Sequence, residues 1–419
     1  MSRAAVVPTA AEEVDMDDGY DAIVVGARCA GSPTAMLLAR SGHRVLLVDR
    51  ATFPSDTVST LMIHAPGVAA LRRWGLLDAV TASGCPPIDR YTFDFGAFTI
   101  AGTPRPCEGG STAYAPRRTH LDRVLVEAAV AAGAELRERV TVEDVLRDDD
   151  GAVAGIVGHG PGGRPVRERA RVVIGADGRS SRVARAVGAE EYMDRPRLMW
   201  SAYTYWTGLP VDAFGTVARP GRGWASLPTS DGLTLVVVGW PYAEAAAVKA
   251  DLERHYLDSF ELAPAFAERV RAATRVDRFS GAAVPNTFRA TGGPGWALVG
   301  DAGYVKDPIT AQGISDALRD AELCAAAVDQ GLRGEASLAD ALGRYQFERD
   351  TRSLPMYGFT TGLATLEPPA PEVAQLLAAV SRDQAAMDDF VSMTAGTLSP
   401  EEFFSPEHIG PILSAAGRG

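Results

Sequence analysis

The sequence predicts an α/β protein with a discontinuous parallel-sheet domain, an antiparallel β-sheet inserted into it, and a helical C-terminal region. Three observations predict this. A strand–glycine turn–helix–strand unit fills residues 20–49. Two more apolar strands, each running into a turn that holds Gly and Asp, follow at residues 171–178 and 296–303. Residues 192–285, lying between those two strands, switch to alternating aromatic runs and carry four of the six tryptophans, at positions 200, 206, 224 and 240. The length fits such a division, because one ordinary domain takes about 100–200 residues and the chain has 419.

The elements follow in order. Residues 1–18 hold Glu12, Glu13, Asp15, Asp17 and Asp18 and no apolar stretch, so they are expected to form a disordered leader rather than a signal or transit peptide. Tyr20 to Val25 (YDAIVV) is a β-branched run that stops at Gly26, and a helical pattern over Ser32 to Arg40 ends at Ser41-Gly42. Arg44 to Val48 (RVLLV) is a second buried strand with Asp49 at its end, which completes a βαβ unit. Leu121, Val124, Leu125 and Ala128 share one face of a helix over Leu121 to Ala132. Residues 140–174 alternate as a hairpin that leads into the apolar strand Arg171 to Ile174. The runs at 91–100, 199–206, 222–228 and 233–240 supply the inserted sheet. A strand at WALVG (296–300) and a helix from about 311 to 331 return the chain to the first domain. The expected division is 19–85, 115–190 and 286–335 for the first domain, 86–114 and 191–285 for the inserted sheet, and 336–419 for the helical region.

Composition removes several functions. A net charge of −12 argues against sequence-independent nucleic-acid binding, which needs clustered positive charge. No apolar run nears the roughly 20 residues of a membrane span. Cys29, Cys85, Cys107 and Cys324 form no CxxC pair and no metal-ligand spacing, so no metal is expected and the cytoplasm is the expected compartment.

The chemistry lies in three turns. Gly26-Ala27-Arg28-Cys29-Ala30-Gly31 matches the dinucleotide pattern G-x-G-x-x-G except at its centre, where Arg28 replaces the second glycine. In that pattern the first glycine makes the turn, the last packs helix against strand, and the pyrophosphate sits on the helix N-terminus. The Arg28 guanidinium either crowds a phosphate there or adds charge to the backbone donors. Asp49 lies 18 residues beyond Gly31, where an acid accepts hydrogen bonds from an unphosphorylated ribose. The second turn is Gly300-Asp301-Ala302-Gly303, followed by Pro308 and the helix start Gln312-Gly313-Ile314, either an ordinary strand–loop–helix or a helix start whose N–H groups point at a ligand. The third is Asp177-Gly178, directly after a buried strand, which by itself reads as a turn with a capping residue.

In this order, and with Arg118-Thr119-His120-Leu121-Asp122-Arg123-Val124-Leu125 similar to an RxxLxxxL pattern, the chain resembles the FAD-dependent group A flavoprotein monooxygenases, the p-hydroxybenzoate-hydroxylase-like family. The resemblance covers roughly residues 19–335 and implies a discontinuous Rossmann-like FAD-binding domain. It implies Asp49 on the adenosine ribose, Arg118 on the flavin side of the cofactor, Asp301 on the ribityl chain, and the helix after Pro308 aimed at the flavin N1–C2=O edge. Asp177 is implied to be structural and to help hold FAD and a transient NAD(P)H. The cofactor-binding set implied is Gly26, Ala27, Arg28, Cys29, Ala30, Gly31, Asp49, Arg50, Thr57, Thr60, Arg118, Val140, Asp177, Gly300, Asp301, Pro308, Gln312, Gly313 and Ile314. The expected reaction is reduction of FAD by NAD(P)H, addition of O2 at flavin C4a, and oxygen transfer to a hydrophobic aromatic or polyketide-like molecule. Departures from the family pattern are Arg28, Tyr304 in place of a histidine, Ala311 in place of a glycine, Ser315 in place of an asparagine, and Ala184 in place of an arginine.

Catalytic candidates are few. Among six histidines, His64 lies in the segment 53–64 that follows the βαβ unit, either structural or acting as a base. Lys306, one of only two lysines, either lies near the isoalloxazine ring or is a solvated loop residue. Strand alternation puts Tyr203 and Tyr205 on one face and Trp200 and Trp206 on the other, so one face packs a core and the other is free to line a pocket. The rivals are a prenyl-reductase-like dehydrogenase, a halogenase and a flavin-binding protein without turnover. GWASLP (223–228) does not match the WxWxIP signature of flavin halogenases.

Overall fold

Strands Tyr20–Val25 and Val45–Asp49 are buried on both faces, as a parallel sheet covered on both sides requires. The computed structural model describes residues 19–416, so the expected leader lies outside the described residues. The first sheet runs Gly292–Gly293, Trp296–Leu298, Pro165–Gly175, Tyr20–Val25, Val45–Asp49, Glu135–Glu138. Its five strands from Trp296–Leu298 to Glu135–Glu138 are parallel.

Alternation divides two hydrophobic clusters between the faces of this sheet. Ala22, Val24, Val45 and Leu47 pack with the helices Gly31–Arg40, Arg118–Ala131 and Gly313–Leu332. Ile23, Val25, Leu46 and Val48 pack under strands Thr141–Arg147 and Val153–His159. The expected hairpin is therefore a three-strand meander, and its last strand begins at Pro165, earlier than the apolar run alone suggests.

The second sheet runs Thr274–Arg275, Met199–Thr207, Thr234–Pro241, Arg222–Pro228, Phe214–Arg219, Tyr91–Asp94, Thr99–Gly102. It is antiparallel except at one junction, where Phe214–Arg219 pairs parallel with Tyr91–Asp94. Trp200, Trp206, Trp224 and Trp240 face a helical layer that contributes Val248, Tyr256, Phe260 and Val270, so the tryptophans form a core. Tyr203 and Tyr205 face the other way, toward Leu61, Met62 and Ala311. A small sheet of Glu191–Arg195, Asn286–Arg289 and Tyr304–Val305 joins chain segments far apart in sequence.

The C-terminal region holds helices Leu338–Leu363, Pro371–Val380, Gln384–Thr394, Pro400–Phe403 and Pro406–Ala416. Leu376, Phe390 and Phe403 from these helices bury Ile100 at the edge of the second sheet. Among the described residues no helix is long and apolar enough to cross a membrane.

Candidate functional site

The three turns meet in space. Gly26 has φ +105°, and a β-carbon there would lie 2.4 Å from the Ala176 carbonyl oxygen, next to Asp177. A β-carbon on Gly31 would lie 1.7 Å from the Gly26 carbonyl oxygen. One on Gly300 would lie 2.7 Å from the Ala30 β-carbon. Glycine at these positions lets three chain segments approach within backbone contact.

Asp49 closes the first turn. Its carboxylate accepts from the Ala27 N–H at 2.7 Å and the Ala51 N–H at 2.7 Å. Its carbonyl accepts from the Val140 N–H at 2.9 Å, which places Val140 beside the strand end, while Arg50 is exposed. Ser181 caps the helix Arg182–Val187 by accepting from Ala184 N–H at 2.9 Å, and Asp177 braces that cap, accepting from Arg182 N–H at 2.6 Å and from the Ser181 hydroxyl at 2.5 Å.

Arg28 and Arg118 converge on Asp122, which is fully buried. Arg118 donates Nε to Oδ1 at 3.0 Å and Nη2 to Oδ2 at 3.1 Å. Arg28 reaches Oδ2 through Nη1 and the Ser55 hydroxyl through Nη2 at 2.9 Å, over the ring of Phe53. Cys29 lies 3.5 Å from the same carboxylate, and burial pushes its thiol up to about 12, so it is a packed and unreactive group. The role of Asp122 is not among the sequence-based expectations. Its signal was the four-residue spacing from Arg118 on one helix face.

The segment after the second strand is tightly turned. Thr57 and Thr60 are half-buried, and the Thr60 carbonyl accepts from Met62 N–H at 2.8 Å across Leu61. Leu61 is buried with φ +63°, a strained backbone for a branched side chain. Ser59 N–H donates to the Tyr203 hydroxyl at 3.3 Å, linking this segment to the second sheet.

His64 joins three elements. Its N–H donates to the Ser315 hydroxyl at 3.0 Å, so the serine that stands in place of asparagine has a partner. Nε2 lies 3.2 Å from the Thr310 carbonyl, which only accepts, so this nitrogen carries the proton and Nδ1 accepts from the Tyr91 hydroxyl at 2.9 Å. Burial lowers its pKa to about 4, and with both ring nitrogens engaged the imidazole is a neutral tie between loops.

Asp301 is exposed, yet neighbouring protein crowds its carboxyl. That crowding raises its carboxyl above the usual range against the opposing pull of Lys306, Arg118 and Arg179. Asp307 is buried and caps the turn Pro308–Thr310 through Ile309 N–H at 3.1 Å, and burial pushes its carboxyl up to about 7. Lys306 is not a solvated loop residue: its side chain is 6% exposed, ion-paired with Asp316 and donating to the Tyr304 hydroxyl at 2.5 Å. Burial would raise the Asp316 carboxyl, but Lys306 and Arg319 outweigh it and hold it below the usual range.

The helix start is divided. Gln312 turns its side chain away, donating to the Thr394 carbonyl at 2.7 Å, and Ile314 is buried. Gly313 is exposed, and a β-carbon there would meet nothing within 4 Å, so the N-terminus of this 20-residue helix faces open space.

A family model described as FAD binding domain matches residues 19–357, most of the chain. The chain belongs to this family. Among curated relatives it is 29% identical over 330 residues to 6-methylpretetramide 4-monooxygenase of Streptomyces rimosus, covering 75% of this chain and 76% of that one. It is 29% identical over 343 residues to digeranylgeranylglycerophospholipid reductase of Methanocella arvoryzae, covering 80% and 83%. Tryptophan 2-halogenase of Chondromyces crocatus is 26% identical over 351 residues, 77% of this chain and 64% of the halogenase. A solved flavoprotein/dehydrogenase from Cytophaga hutchinsonii has the same fold, with TM-score 0.80 at 20% identity over 96% of this chain and 98% of that one. The chain is an FAD-dependent oxidoreductase. Its glycine-lined junction of three turns and the open helix start at Gly313 fit such a cofactor, since both leave room where side chains would otherwise stand.

Proposed function

We propose that this oxidoreductase is a monooxygenase that uses NAD(P)H and O2 to oxygenate a hydrophobic, aromatic or polyketide-like small molecule. One observation carries the reading. Tyr203 and Tyr205 from the second sheet pack in one apolar cluster with Leu61, Met62 and Ala311, the last lying in the turn between Asp301 and the helix Gly313–Leu332. In this reading the tyrosine-bearing sheet face, packed against the loops assigned to the flavin, would wall a site for an aromatic substrate. The relative named as a 6-methylpretetramide monooxygenase supports the same class.

When bound, FAD supplies the redox and oxygen chemistry. In this reading the Gly26–Gly31 turn would hold the pyrophosphate, Asp49 the ribose and Asp301 the ribityl chain, and the N-terminal N–H groups of the helix at Gly313 would favour negative charge beside them. Arg118, fixed by Asp122, would lie on the flavin side of the cofactor. His64 holds the Thr310 carbonyl and thereby the shape of the flavin loop.

A panel of aromatic and polyketide-like compounds, assayed for stimulated NAD(P)H oxidation under isotopically labelled O2, tests the proposal. Label in the product supports it. Hydrogenated prenyl product, halide-dependent product, or hydrogen peroxide alone with every compound overturns it.

A further inference from the structure

Lys306 is an unusual choice for its position. It lies in the short link between Asp301 and Pro308, with its ammonium almost out of reach of solvent. Burying a cation and its partner is costly, and an apolar side chain of similar volume fills such a place at less cost. The packing around it leaves little slack. Tyr304, which accepts its hydrogen bond, is buried and stacked on Phe288 with ring centroids 4.4 Å apart. Asp316, its ion-pair partner, sits in the first turn of the helix that starts at Gly313 and is also held by Arg319 Nη1 at 3.0 Å. Arg319 in turn donates to Asp320 at 2.7 Å and to the Ser353 hydroxyl at 2.8 Å. The cation is therefore fixed at one end of a braced chain of charges. Its charge acts on both Asp301, five residues before it in the same loop, and His64.

We propose that the Lys306–Asp316 pair sets the reduction potential of the bound flavin, Lys306 raising it and Asp316 lowering it. The inference rests on the flavin reading of the Asp301 loop. Reduction brings two electrons and negative charge to the ring, and a fixed charge in a poorly solvated interior acts over several ångströms with little screening. Lys306 works by charge alone and is a positioning residue of the electrostatic field. It exchanges no proton with the substrate.

The test is the midpoint potential of the flavin-loaded enzyme, measured by equilibration with reference dyes. Lys306→Met is expected to shift it negative, Asp316→Asn to shift it positive, and the double variant Lys306→Met/Asp316→Asn to return it toward the wild type. Damage to the scaffold would move both single variants in the same direction, and that outcome, or no shift in either, overturns the proposal. If Lys306→Met yields no flavin-bound protein, Asp316→Asn decides: a positive shift supports the proposal and its absence overturns it. Wild-type protein that takes up no flavin would instead refute the flavin reading itself, a result visible in its absorption spectrum before any potential is measured.

Discussion

Arg28 and Arg118 share one carboxylate. The fully buried Asp122 takes two hydrogen bonds from Arg118, four residues away on the same helix, and another from Arg28 in the glycine turn. The turn that departs from the usual glycine pattern is thus tied to the helix that follows the second sheet's first strands.

Asp122→Ala leaves two guanidinium groups facing a hole. Removing one partner of a buried ion pair costs about 3–5 kcal/mol, so the flavin-free variant is expected to unfold at clearly lower urea concentration. A midpoint equal to that of the wild type would show that the arginines find other partners.

Arg28→Gly restores the usual glycine and frees Ser55 from its 2.9 Å contact. FAD is expected to remain bound with affinity weakened about tenfold, or about 1.4 kcal/mol, measured by quenching of flavin fluorescence. Unchanged affinity would remove Arg28 from the cofactor site.

Gly26→Val places a side chain where a carbonyl oxygen lies 2.4 Å from the β-carbon, at a backbone angle valine does not tolerate. The purified variant is expected to be colourless. Yellow protein with stoichiometric FAD would refute the assignment of this turn.

His64 gives a pH signature. Its folded pKa of about 4 lies below the ordinary 6.5, so between these values the unfolded chain holds a proton that the folded chain lacks. Its contribution is complete above about pH 6.5 and is lost as pH falls through 4, by roughly 3 kcal/mol. His64→Gln lacks this titration, so the stability of the wild type relative to the variant should fall across that window in urea melts. A constant difference would mean the imidazole is charged in the fold.

Asp307 has the opposite sign. Its folded pKa of about 7 exceeds the ordinary 3.8, so its contribution is complete below 3.8 and lost as pH rises through 7. Relative to the wild type, Asp307→Asn is expected to gain up to about 4 kcal/mol over that range. A pH-independent difference would show an ionised carboxylate throughout.

The parts of the site that sequence makes legible are those imprinted on a short stretch. Gly26 and Gly31 mark a close backbone approach, and Ser181 sits where a helix needs a cap. Partnerships made only by folding leave no such mark. Nothing in the spacing of Lys306 and Asp316 distinguishes an ion pair from two solvated charges, and nothing near His64 names Thr310 or Tyr91 as its neighbours. The same holds for the second sheet. Alternation separates Tyr203 and Tyr205 from the tryptophans, but it has the same period in either strand direction, so the parallel pairing of Phe214–Arg219 with Tyr91–Asp94 cannot be read from it. The strained turn at Leu61 was equally hidden, because leucine there gives no glycine signal.

Arg349, fully buried, donates to the Gly303 carbonyl at 2.9 Å and the Arg289 carbonyl at 3.1 Å, and Gln312 is anchored on Thr394. The loop after Asp301 therefore takes its final braces from residues synthesised well after it. On the ribosome, the βαβ unit can form early from contacts close in sequence, whereas this loop must wait for the C-terminal helices, the long-range contacts that slow folding. Ordering of this loop is thereby coupled to synthesis of the helices from Leu338 onward, so that a product cut short after the second sheet would carry the glycine turn but lack the braces of the Asp301 loop.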